Sequence, residues 1–87
     1  MENRVGVIGI VVTDRENQAD RVNQVLGGFG DIIVGRMGIP YRERNLSVIA
    51  LIVDGDTDQI GALTGKLGAI TGVKVKSALV PHIEFSN

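Results

Sequence analysis

The sequence predicts an α+β sandwich in which a four-stranded antiparallel sheet carries two helices on one face. Three observations lead there. The chain has 87 residues, enough for one domain and too few to close a second core. Two runs dense in valine and isoleucine, near the N-terminus and near the middle, have the composition of buried strands. After each comes a segment whose apolar residues recur every three or four positions, the signature of a helix packed on one side. The resulting order is strand–helix–strand–strand–helix–strand.

RVGVIGIVVTD, Arg4 to Asp14, reads as the first strand, covered on both faces. Asp14 is placed to cap the helix that follows. From Glu16, the residues Ala19, Val22, Val25 or Leu26, and Phe29 share one helical face. Gly27 and Gly28 read as the stop, since glycine takes the left-handed cap conformation without a Cβ clash. A second strand runs from about Asp31 to Ile39. Pro40 has no N–H to give to a ladder and belongs at a strand end or on an edge. LSVIALIVD, Leu46 to Asp54, is a third strand, and the charged segment Tyr41 to Asn45 joins the two as a hairpin loop.

Asp56, with Gln59 three residues on, makes a capping-box start, and Asp58 complements the helix dipole. Ile60, Leu63, Leu67 and Ile70 form the stripe of the second helix, which Gly72 is expected to end. VKVKSALV, Val73 to Val80, is the last strand, with Val73 and Val75 on one face and Lys74 and Lys76 on the other. Right-handed crossovers place strands one and three in the centre, giving a ferredoxin-like fold. The whole of 1–87 is one domain, with a core over about 4–80 and a tail at 81–87.

Composition removes several functions. Hydrophobic residues at 44% and charged residues at 22% are ordinary globular usage, which argues against disorder. A formal charge of -1 offers no bulk attraction to nucleic acid or an anionic membrane, so no direct contact with either is expected. Cysteine is absent, which excludes disulfides, thiolate metal sites and a cysteine nucleophile. Val5 to Val12 is apolar but too short to span a bilayer, and the start lacks the form of a signal peptide, so a cytoplasmic location is expected.

No catalytic set assembles either. The hydroxyls of Thr13, Ser47, Thr64 and Ser77 lack a local histidine, and no glycine-rich loop matches a nucleotide fingerprint. Asp54-Gly55-Asp56-Thr57-Asp58 imitates the opening of a calcium loop. Gln59 then stands where glycine is required, and Gly65 where the bidentate glutamate should be. His82 is the sole histidine, with Glu84 two residues on; it reads as a solvated tail residue, since a metal there would need ligands from other subunits. No catalytic residue, metal site or cofactor is expected.

What the pattern does indicate is assembly. A lone domain of this fold wets the sheet face away from the helices, so its central strands should alternate apolar and polar. Here Val5, Val7 and Val11 oppose Ile8, Ile10 and Val12, while Val48, Ala50 and Ile52 oppose Ile49, Leu51 and Val53. Apolar patches beyond a few hundred Å² are uncommon on soluble monomers. A homo-oligomer, dimer or tetramer, closed through the sheet is expected. Gly61, Gly65 and Gly68 line one side of the second helix at a propensity cost of about 1 kcal/mol each, which anticipates close approach of another backbone, from the first helix or a neighbouring subunit.

GRMGIPYRERN, Gly35 to Asn45, gathers Arg36, Arg42 and Arg44 around the lone tyrosine, Tyr41. Guanidinium forks bind carboxylates and other anions bidentately, so the segment is a candidate ligand site. A solvated hairpin tip balanced by Glu43 is the other reading, and composition favours it. Arg36 fits that second reading least, because it lies inside an apolar strand and needs a partner.

The run GDIIVGRMGIPYRERNLSVIALIVDGDTDQIGALTGKLG, with GVKVKSAL after it, resembles the small ACT-like regulators of the iron-only hydrogenase system. The likeness covers roughly Val5 to Leu79. It implies a ferredoxin-fold regulatory domain of an anaerobic bacterium, oligomeric, acting on a small-molecule effector or a protein partner. A purely structural role in hydrogenase maturation is the alternative it leaves. Amino-acid-binding ACT domains carry an aspartate, two residues and then a glycine at the first strand–helix turn. Here Asp14-Arg15-Glu16 is followed by Asn17, which argues against amino-acid binding through that turn. The candidate ligand-binding residues are therefore Arg36, Tyr41 and Arg42, with Asp14 and Asn17 from the turn.

Overall fold

The computed structural model describes residues 3–80, so the expectation for His82 and Glu84 lies outside the described residues. The elements are β1 (Arg4–Val12), α1 (Arg15–Gly27), β2 (Ile33–Tyr41), a 3-10 turn (Arg42–Arg44), β3 (Leu46–Gly55), α2 (Thr57–Gly68) and β4 (Val73–Val80). All strand pairs are antiparallel, in the order β2-β3-β1-β4. The two valine-rich strands occupy the centre, as their composition requires.

The core lies between the sheet and the helices. From β1, Ile8, Ile10 and Val12 point into it, and Ile49, Leu51 and Val53 do so from β3. Val22 and Leu26 of α1 meet Ile60, Leu63 and Leu67 of α2 above them. The spacing that predicted both helices is thus the spacing of their buried residues. Asp56 caps α2 as expected: its carboxylate accepts the Gln59 N–H at 2.7 Å, and the Gln59 side chain accepts the Asp56 N–H at 3.0 Å.

Helix ends depart from the sequence reading. Gly28 follows α1 with φ -74, a right-handed conformation. The chain leaves through tight turns in which the Gly28 and Phe29 N–H groups donate to the Val25 and Leu26 carbonyls, so no left-handed glycine is needed. Asp14 stands at the N-cap but caps no N–H with its side chain. Its carboxylate instead accepts both contacts from the Asn17 amide at 3.1 Å. The second helix stops at Gly68, before the expected Gly72. Gly72 instead turns the chain into β4 with φ +81, and its carbonyl accepts the Thr13 N–H at 2.7 Å and the Thr13 hydroxyl at 2.8 Å.

β2 also lies later than expected, taking in Pro40 and Tyr41. It is an edge strand, the position in a sheet that admits proline. The hairpin to β3 is shorter for the same reason, and Asn45 closes it with φ 53, a conformation asparagine tolerates. Gly61, Gly65 and Gly68 on α2 have open space where a Cβ would be, so α1 does not approach them. Among the described residues no helix is long and apolar enough to cross a membrane.

Candidate functional site

Strand parity sorts the candidate residues onto two surfaces. Arg36 pairs with Leu51 and so lies on the helix side, together with Gly38 and Pro40, which pair with Ile49 and Ser47. Met37, Ile39 and Tyr41 pair with Ala50, Val48 and Leu46 and lie on the other side. A bulge between Ile33 and Gly35 sets this register.

On the helix side α1 leaves the edge strand exposed, and a hollow of about 190 Å³ opens between them. Val12, Val22 and Ile49 supply its apolar part; Gly38, Pro40 and Ser47 border it from the sheet. Arg36 spans the gap, and its Nη2 donates to the Asn23 Oδ1 of α1 at 3.0 Å. This answers the need that the sequence exposed, with a neutral partner. An adjoining hollow, sharing Ala19, is lined by Glu16, Arg42 and Asn45. Arg36 and Arg42 therefore lie along one cleft beside α1. Tyr41 faces the opposite surface. Asp14 and Asn17 are bonded to each other at the start of α1 and line neither hollow.

Asn23, Gly38 and Ser47 belong to this cleft and were not expected from the sequence as ligand-binding residues. Asn23 follows Val22 on α1, one step off the buried stripe; that position signals a helix margin, and nothing local tells which strand lies across from it.

The second surface is the helix-free face of the sheet. Val5 and Val7 are 52% and 50% exposed, Ile52 51%, and Met37 64%. Register places Val7 beside Ile52 and Val11 beside Val48, while Met37 and Ile39 extend the row across β2. Lys74 and Lys76 form its β4 margin, opposite Val11 and Gly9. Among the described residues no cluster of three His, Cys, Asp or Glu could hold a metal ion.

Comparison with known proteins agrees with this architecture. The family described as "TM1266-like: Iron-only hydrogenase system regulator, putative" matches residues 4–77. The chain belongs to the TM1266-like family. The solved structure of the uncharacterized protein TM1266 from Thermotoga maritima is 46% identical to it. That match covers 91% of this chain and 99% of the other at a TM-score of 0.87. The ACT domain from GTP pyrophosphokinase of Chlorobium tepidum is 20% identical over 99% and 96% of the two chains, with a TM-score of 0.68. CPII, a nitrogen regulatory PII-like protein from Thiomonas intermedia K12, is 18% identical over 91% and 92%, with a TM-score of 0.50. These last two show a shared fold and nothing finer. No curated protein matches the sequence. The family and the ACT-like fold expected from RMGIPYRE and DGDTDQIGALTGKLG are both found.

Proposed function

We propose that this TM1266-like chain is a non-enzymatic cytoplasmic regulator that works as a homo-oligomer, closed through the helix-free face of its sheet. It answers to a small effector in the cleft beside α1 or to a protein partner. One observation carries the reading: a chain of a regulator family leaves the apolar side of its two central strands uncovered. Four strands at about 4.8 Å and eight residues at about 3.3 Å give a face of roughly 500 Å² in projection. That projection is more than half of the roughly 800 Å² per partner of a standard interface. Burying apolar surface at about 25 cal/mol per Å² supplies the drive.

Arg36 and Arg42 are the effector-binding residues of this reading. Asp14 and Asn17, bonded to each other at the start of α1, and Tyr41, on the helix-free face, are its remaining candidate residues. The alternative is an assembly role in hydrogenase maturation without a small ligand. A thermal-shift screen of amino acids, nucleotides and divalent metals separates the two, since a ligand stabilises by mass action. Stabilisation that is lost in Arg36→Ala or Arg42→Ala supports the effector reading. Response to a protein partner alone supports the alternative.

A further inference from the structure

We infer that the hollow between α1 and β2 is a binding site for a small monocarboxylate with a short apolar body, held by Arg36. The inference rests on the effector reading above and gives that effector a chemical class.

Charge is the first ground. Arg36 is the only ionised side chain among those lining the hollow. Its side-chain partner among the described residues is the neutral Asn23 amide, at 3.0 Å. Asn23 fixes where the guanidinium sits and leaves its charge unneutralised. The guanidinium carries five N–H donors in a planar fork, so a pair remains for the two oxygens of a carboxylate. Arg42 lines the adjoining hollow with Glu16 rather than this one, and a single cation in the hollow suits a monoanion better than a dianion.

Shape is the second. The interior is apolar, from Val12, Val22 and Ile49, with the Pro40 ring at its border. A volume of about 190 Å³ is ample for an acid of about three to five carbons. Gly38 is the third ground. It sits between Arg36 and Pro40 on the helix side, where a side chain would project into the hollow. A Cβ there would meet nothing closer than Ile49 Cγ1 at 3.8 Å. Packing inside the chain thus does not require glycine at this position, whereas an open hollow does.

The test is a ¹⁵N NMR titration of the chain at constant ionic strength with butyrate, 2-oxobutyrate, uncharged butyramide and inorganic phosphate. Saturable shifts at the Asn23, Gly38 and Ser47 amides are expected with both acids. Butyramide and phosphate should bind about tenfold more weakly or less, the worth of a charge-assisted pair. Arg36→Gln should weaken the acids about tenfold or more, and Gly38→Val should remove binding by filling the space. Arg21→Gln, a charge removed elsewhere on α1, should leave it unchanged. Circular dichroism of each variant verifies the fold. The proposal is overturned by absence of saturable shifts at these amides, by butyramide or phosphate binding as tightly as the acids, or by unchanged affinity in Arg36→Gln. A stabilising hit of another chemistry in the thermal-shift screen would overturn the carboxylate class alone; silence in both experiments would end the effector reading as well.

Discussion

Gly72 and Asp56 show how single residues hold this fold. At φ +81 Gly72 occupies the left-handed region, where a Cβ costs about 1–2 kcal/mol, and that Cβ would also press on Thr13 Oγ1 at 3.0 Å. Gly72→Ala is therefore expected to destabilise the chain by about 2 kcal/mol in urea unfolding. Asp56→Ala removes the oxygen that receives the Gln59 N–H and should cost about 1 kcal/mol by the same measurement. Leu63 is fully buried, so Leu63→Ala should cost about 2–5 kcal/mol. The Asp56 box was readable because its partners lie three residues apart. Gly72 was readable only as a stop, since its carbonyl is held by Thr13, 59 positions away.

Among the elements, α2 carries the sharpest test. Gly61, Gly65 and Gly68 each face open space, so nothing among the described residues repays their low helix propensity. Under conditions where the chain is monomeric, Gly65→Ala should raise stability by up to about 1 kcal/mol, read as a higher urea midpoint. A fall in the midpoint would mean that another part of the chain packs against that side. Strand β2 shows how placement follows from register. Arg36 and Tyr41 are separated by five positions, an odd number, so a strand must send them to opposite faces. Reading Tyr41 as loop hid that consequence and grouped two residues that the sheet keeps apart.

For the whole molecule, the uncovered sheet face decides behaviour. Ile52 lies near its middle, half exposed, beside Val7 and opposite Gly35 of β2. Ile52→Lys places a charge there without touching the core formed by Leu51 and Val53. Sedimentation velocity at micromolar concentration should show the wild-type chain self-associated and Ile52→Lys as a single-copy species with unchanged circular dichroism. A wild-type chain that sediments as a monomer would remove the oligomeric part of the proposed function. The cleft beside α1 is a separate surface on the other side of the sheet, so its ligand binding is measured independently.

By itself the sequence determined the type and order of the elements, the identity of the central strands, the buried stripes and the Asp56 cap. Each of these follows from periodicity or from contacts within four residues, which the backbone enforces wherever the segment sits. Tertiary structure alone decided where α2 stops, that Gly28 needs no left-handed turn, and that Asn23 receives Arg36. It also decided that an exposed edge strand and one helix leave a hollow between them. Those outcomes depend on strand register and on how far α1 reaches across the sheet, both set by packing between residues distant in the chain.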